Sequence, residues 1–290
     1  HVSAQGNFDR SVVLDPLISR VEMDINAGFK PEIVVVTGDI ANAGVKAEYE
    51  LAKKFFDDLL KSLKLSQDKL FIVPGNHDVN QKKYRPNDIP SYETMEALNG
   101  ELENEEYRSD LFKGMVDYFS FIEENYPHLK SRHERLIPFV AVHPAACGKK
   151  IGLVGLNSAW MCRKLKDKET DKGKIAIGEY QVKMAMDALK KQGNVDLAIT
   201  IFHHPLDWLW RADYKICRNH FNNTITLSGH LHDAEGGYTD DMDGRLYQFL
   251  AGGAYVSRYP CRFQYITFNW NKSEIQLDFR KFDGENRNWC

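Results

Sequence analysis

Residues 31–39 read PEIVVVTGD, and residues 70–78 read LFIVPGNHD. In each, a short apolar run rich in β-branched or bulky residues ends at glycine and a polar group. Such a run reads as a buried strand whose C-terminal end opens into a functional loop. Between them, Val45, Tyr49, Ala52, Phe55, Phe56, Leu59, Leu60 and Leu63 recur at helical spacing, while Lys53, Lys54, Asp57, Asp58 and Lys61 lie mostly off that stripe. The spacing predicts a helix over residues 45–63. Strand, helix, strand is the βαβ unit of an α/β fold, in which ligands gather at the carboxyl ends of the strands.

Working outward, residues 80–135 break the alternation. They read as mostly helical and carry an acidic stretch at Glu101, Glu103, Glu105, Glu106 and Asp110. Two readings stand: a solvated helical face, or a cap over the site that limits substrate size. Strands follow at 136–142, 151–156, 196–202 and 224–228, with a helix at 178–191. The tail alternates like antiparallel strands at 246–251, 262–269 and 274–280. No repeat, low-complexity tract or linker divides the chain, so residues 1–290 read as one domain.

Composition narrows the class. With 290 residues and 43% hydrophobic content, the chain can bury one sizeable core, or one core plus a modest insertion. A net charge of −3 and a pI near 6.4 give no basic stripe, which weighs against sequence-independent binding of polyanions. The five cysteines are widely spaced and odd in number, which fits a reducing, cytoplasmic setting better than a disulfide framework. No apolar run is long enough to span a membrane, and no signal peptide is visible. The chain begins at His1 rather than Met, which raises the expectation of a fragment of a longer protein.

Four clusters carry the chemistry: Gly38-Asp39, Gly75-Asn76-His77-Asp78, His203-His204-Pro205 and Gly229-His230-Leu231-His232. Each follows an apolar strand directly. Taken singly, each is weak: a turn, a surface pair or a satisfied core histidine explains it. Strands of one sheet bring their ends together, so these groups would converge in one crevice. Neutral imidazoles beside carboxylate oxygens suit a divalent transition metal: manganese, iron, zinc or nickel. Without such a partner, so many buried polar groups would be costly.

These clusters make the sequence resemble the calcineurin-like metallophosphoesterases. The family pattern runs D-x-H, G-D, G-N-H-[DE], a His, then G-H-x-H. The resemblance implies a four-layer α/β/β/α sandwich of two mixed sheets with helices outside, residues 80–135 being a helical insertion. It implies metal ligation by His1, Asp39, Asn76, His203, His230 and His232, with Asp39 bridging two ions. His1 fits the His of D-x-H, and the Asp and strand before it are expected upstream. A metal-bridging hydroxide would attack a phosphate ester. His77 would protonate the leaving oxygen, and Asp78 would orient the His77 ring. His204 would be a packed neighbour of His203. A phosphodiesterase on a nucleotide-type substrate is the first reading. A DNA or RNA nuclease module of a larger chain, a phosphomonoesterase and a catalytically dead scaffold are the alternatives. GDIANAG, VPGNHDV and FHHPLDW are also similar to a group of bacterial predicted phosphohydrolases, some of them modules of larger chains.

Other residues near the motifs are candidates for the substrate. Asn157 ends the run IGLVGLN and is either a phosphate contact or a strand-end turn. Trp208 and Arg211 follow the His203 motif, where an indole beside a cation would stack a base, or the indole simply packs. Arg258 and Arg262 are weaker candidates for the phosphate, Asn42 is a candidate for a hydrogen bond near the metals, and His133, His143 and His220 are read as structural.

Overall fold

A computed structural model describes residues 7–85, 88, 90–129, 135–163, 170–242, 244–254 and 261–290, the side chains of 7–11 and 241 apart. His1, His133 and Arg258 lie outside the described residues. The chain opens with helix α1 (Asn7–Asn26), which the periodicity does not announce. Strands β1 (Val34–Val36) and β2 (Leu70–Ile72) pair in parallel, Val35 opposite Phe71, with α2 (Lys46–Leu63) as the crossover. The expected βαβ unit is therefore present, with shorter strands than the apolar runs suggest. The stripe of α2 buries Tyr49, Ala52, Phe56 and Leu60. The Glu48 carboxylate in its first turn accepts the backbone N–H of Ala43 at 2.8 Å, which ties the helix start to the loop leaving Asp39.

Residues 95–125 form α3 (Met95–Glu103), α4 (Glu105–Leu111) and α5 (Val116–Asn125). Glu103, Glu105, Glu106 and Asp110 are exposed. Leu98, Leu102, Met115, Tyr118 and Phe119 are buried in the main core, and Tyr49 of α2 stacks on Phe121 of α5 with ring centroids 5.1 Å apart. This segment is amphipathic: charge faces water and apolar side chains extend the core.

The main sheet holds β3 (Phe139–Pro144), β4 (Lys150–Gly155), β5 (Leu197–Ile201), β6 (Ile225–Ser228), β7 (Glu235–Asp241) and β8 (Gly244–Leu250), in the order β3-β4-β5-β6-β8-β7. Strands β4, β5, β6 and β8 run parallel, while β3 and β7 are antiparallel edges. The fold is therefore mixed α/β with a mixed sheet. Helices α6 (Glu179–Lys190) and α7 (Arg211–His220) supply the crossovers. A three-stranded antiparallel sheet follows, from β9 (Arg262–Asn269), β10 (Glu274–Asp283) and β11 (Asn288–Trp289).

One expectation needs correction here. Residues 246–251 read as part of an antiparallel tail, yet β8 enters the main sheet parallel to β6, Leu227 opposite Phe249. Its antiparallel partner β7 has the sequence EGGYTDD, with no apolar run to announce it. Gly236 explains the choice: a Cβ there would lie 2.5 Å from Leu277 of β10 and 2.8 Å from Phe249 of β8. The small residue lets β10 close onto β7 and β8. Among the described residues, no helix is long and apolar enough to cross a membrane.

Asp213 on α7 fixes the entry to α6. Its carboxyl oxygens accept the N–H groups of Ile177 and Gly178 at 2.7 and 3.0 Å. Burial pushes its pKa up from 3.8 to about 6, against those two donors. The folded chain then holds the proton more tightly than the unfolded chain between those values. The Asp213 contribution is full below about pH 4 and is lost as pH rises through 6, by up to about 3 kcal/mol. Asp213→Asn should remove this slope, read as the urea midpoint measured from pH 4 to 7. An unchanged slope would show that Asp213 is not its source.

Candidate metal centre

The loops that leave β1, β2, β5 and β6 meet at one end of the sheets. Gly38 turns the chain with φ +103°, and a Cβ on it would sit 2.6 Å from His203 Nδ1 and 2.7 Å from the Gly75 nitrogen. Only glycine allows three loops to approach this closely. Asp39, His230 and His232 are themselves left-handed, with φ of 59°, 70° and 63°. That conformation is uncommon outside glycine and costs on the order of 1 kcal/mol or more per residue. Three such residues among the expected ligands mark the place where backbone comfort yields to side-chain placement.

The donor atoms converge. His203 Nε2 lies 2.9 Å from Asn76 Oδ1 and 3.3 Å from Asp39 Oδ2. His230 Nδ1 lies 3.2 Å from the same Asn76 oxygen and 3.3 Å from His203 Nε2. His203 Nδ1 donates to the Thr37 carbonyl at 2.7 Å, so in the neutral ring Nε2 carries only a lone pair. An amide oxygen, a carboxylate oxygen and a second ring nitrogen then stand around His203 Nε2 at 2.9–3.3 Å. Such a cluster of acceptors needs a proton or a cation at its centre.

The electrostatics agree. Burial alone would raise the Asp39 carboxyl, but the adjoining His203 and His77 hold it well below the usual carboxylate range. Burial works against charge on His203, and the Asp39 carboxylate outweighs it, so its pKa rises. Burial, reinforced by His203, drives His230 down to about 3, which keeps that ring neutral. Burial likewise lowers His232, against the pull of Asp39. His230 and His232 thus present neutral rings, while Asp39 favours a proton on His203 that a cation would displace; with Asp39 and Asn76 these rings form a set that fits a divalent transition-metal ion. The residues present therefore fit the metal that the sequence implies.

Asp39 Oδ1 also accepts the N–H of His77 at 2.9 Å. The His77 ring is half-buried, and its Nδ1 donates to the Asn42 carbonyl at 2.9 Å. Asp78 does not orient that ring, contrary to expectation. Its fully buried carboxyl group accepts the N–H groups of Ile40, Ala41 and Gly75 at 3.2, 3.0 and 2.9 Å, and the Tyr49 hydroxyl at 3.2 Å. Asp78 thus ties the Asp39 loop to the Asn76 loop, and burial beside Asp39 raises its pKa. Asn42 sits near the centre as expected, but through its carbonyl.

Asn157 is fully buried. Its N–H donates to Gln181 at 2.6 Å and its Oδ1 accepts from Ala159 at 2.9 Å. It is a strand-end turn rather than a phosphate contact. Trp208 is half-buried with its ring centroid 4.2 Å from that of His230, edge to face. Arg211 is exposed at the start of α7. Arg262 is ion-paired with Asp233. His143 lies buried 3.4 Å from Glu32, and His220 lies 4.0 Å from Glu179.

Sequence reading overlooked Ser158. This fully buried residue receives the backbone N–H groups of both His203 and His204 on its hydroxyl, at 3.2 and 3.1 Å. It sets the bend after β5 that sends the two rings in different directions. His203 turns to Asn76 and Asp39. His204 presents Nδ1 to Ser158 Oγ at 3.0 Å and Nε2 to Cys162 Sγ at 3.7 Å. A serine after a strand end carries no signal of this role in sequence.

Comparison with known proteins agrees with this geometry. The chain is 23% identical over 292 residues to the uncharacterized metallophosphoesterase-like protein YydB of Bacillus subtilis (strain 168), an alignment that covers 98% of this chain and 58% of that protein. It thus spans little more than half the length of the curated relative. A solved structure of sulfate thiohydrolase SoxB from Thermus thermophilus, in complex with glycerol, superposes with a TM-score of 0.50 at 13% identity, over 93% of this chain and 42% of that one. At that identity the likeness speaks to the fold alone. The family model for calcineurin-like phosphoesterase matches residues 13–234, which hold every described ligand candidate from Asp39 to His232, and the chain belongs to that family.

Proposed function

We propose that the chain is a dinuclear metallophosphoesterase that hydrolyses phosphodiesters of the nucleotide type. The observation that carries this reading is the meeting at His203 Nε2 of Asn76 Oδ1, Asp39 Oδ2 and His230 Nδ1, at 2.9, 3.3 and 3.3 Å. Asp39, Asn76, His203, His230, His232 and His1 would hold the ions, manganese first. Two divalent ions supply a water nucleophile made acidic by coordination and a clamp on phosphoryl oxygens. The remaining steps fall to side chains. With its Nδ1–H fixed on the Asn42 carbonyl, a protonated His77 carries its second proton on Nε2 and delivers it to the leaving oxygen. Trp208, edge-on to His230, offers an apolar face for a base, which supports a nucleotide over a simple monoester. The five cysteines, odd in number and widely spaced, support a cytoplasmic setting. The larger size of the relative supports a catalytic unit within a longer chain, where a neighbouring domain would allow a nuclease.

The same reading extends to the first motif. A cavity of about 840 Å³ runs between β1 and β9 and ends at Asp39, His203, His230 and His232. Val34–Val36, Phe263–Phe268, Ile199, Leu227, Leu17, Phe55 and Leu59 are among its lining. Among the described residues, β1 pairs only with β2, and β9 only with β10. An apolar cleft between two strand edges suits an extended segment. We assign it to a strand carrying the Asp of D-x-H, entering before His1. Such a strand would join the small sheets into the four-layer sandwich.

Hydrolysis of bis-p-nitrophenyl phosphate should depend on added manganese and stop with chelator; no turnover with any divalent metal would favour the scaffold reading. His77→Ala should keep its metal by elemental analysis and lose roughly 10²–10⁴-fold in turnover; collapse of metal content would reassign His77 as a ligand. Asp39→Asn should lower occupancy at both ion positions, and unchanged stoichiometry would remove its bridging role. When the upstream segment is supplied, the amides of Val35 and of alternate β9 residues should gain protection in hydrogen exchange. Equal exchange with and without it would refute the strand assignment.

A further inference from the structure

A second group of metal-type donors lies behind the first and plays no part in the chemistry above. We propose that Cys162, Asp171 and His204 form a separate zinc site with a thiolate, a carboxylate and an imidazole ligand.

The three donor atoms close a triangle. Cys162 Sγ lies 3.7 Å from His204 Nε2 and 3.9 Å from Asp171 Oδ2, and His204 Nε2 lies 4.0 Å from the same carboxylate oxygen. Tetrahedral zinc with bonds of about 2.0–2.3 Å places such ligand atoms roughly 3.3–3.6 Å apart. The observed triangle is a few tenths of an ångström wider, a gap that small side-chain rotations close. Cys162 is buried and His204 is fully buried, whereas the Asp171 side chain keeps 21% exposure. The triangle therefore has one side through which an ion and a fourth, water ligand enter.

The surroundings hold the imidazole in place. His204 Nδ1 is engaged by Ser158 Oγ at 3.0 Å, which fixes the ring plane and aims Nε2 at Cys162 and Asp171. Metal-bound imidazoles ordinarily have their other nitrogen anchored this way. Because the Ser158 oxygen already accepts the N–H groups of His203 and His204, its hydroxyl donates to Nδ1 in the metal-free state, and Nε2 must give up its own proton as an ion binds. The thiol proton leaves as the ion enters, so loading releases protons to solvent. One sulfur, one nitrogen and one oxygen ligand favour zinc over manganese, because thiolate is a soft donor. His204 also offers a ligand atom within 4.8 Å of those of His203 and His230, so sulfur is what tells the two sites apart: the Asp39–His203 centre contains none.

That difference makes the test specific. Cobalt(II) is loaded into chelator-stripped, fully reduced protein, and the absorption spectrum is recorded. The expected result is a thiolate-to-cobalt charge-transfer band in the near ultraviolet, together with the visible bands of the other centre. Cys162→Ser should lose the charge-transfer band and one bound ion per chain, and keep the rest of the spectrum. Asp171→Asn should keep the band but need more cobalt to reach it. Absence of the band in the natural protein at saturating cobalt would overturn the proposal without any variant, leaving the trio as a hydrogen-bonded cluster. A band of undiminished strength in Cys162→Ser would overturn it equally, by assigning the sulfur to another cysteine. Loss of only the visible bands in Asp39→Asn would report on the phosphoesterase centre, so the two readings fail independently.

Discussion

The structure is organised around an electrostatic conflict at the sheet ends. Asn76 Oδ1, Asp39 Oδ2 and His230 Nδ1 each bring electron pairs to within 3.3 Å of His203 Nε2. In the absence of a positive species these atoms would repel one another and draw in water. The fold nonetheless holds them together, and it does so with rigid, buried parts. The Thr37 carbonyl fixes the protonation pattern of His203. Asp78 clamps two loops through three backbone donors, and Gly38 removes the one carbon that would keep those loops apart. Three ligand candidates accept left-handed backbone for the same end. Such stored cost persists only where the surroundings over-determine it, which is the signature of a preorganised cation site.

Much of this was legible in the sequence. The βαβ unit announced itself through β-branched runs that stop at Gly-Asp and Gly-Asn-His-Asp, because a buried parallel strand needs continuous apolar character. The helix at 46–63 was legible from its stripe. The four clusters do converge, but not as ends of one sheet: β1 and β2 pair in one sheet and β5 and β6 in another, and the carboxyl ends of the two parallel pairs meet. What stayed hidden depended on tertiary neighbours. Strand β7 has the composition of a loop, and pairs because Gly236 lets another sheet approach. The role of Asp78 was misread because sequence adjacency to His77 suggested a partner, while the three backbone donors come from loops that only the fold assembles. Asn157 looked like a ligand for the same reason that it is a turn: it follows a strand.

The two bends after β5 and β6 show how little sequence separates different fates. His203 and His204 are neighbours in the chain and both are buried. One joins the oxygen-rich group and the other turns to Cys162 and Ser158. Their ring centroids are only 4.7 Å apart and nearly perpendicular. A single serine hydroxyl receives both backbone N–H groups, so the two directions are set by one anchor. Neither ring moves without disturbing the other.

The cleft between β1 and β9 also bears on how the molecule behaves in company. Two strand edges border a greasy trough, and such edges act as templates for any extended peptide of suitable polarity. A chain left in that state is prone to borrow a strand from a sister molecule. Concentration would then govern its self-association, and any segment that filled the trough would suppress it.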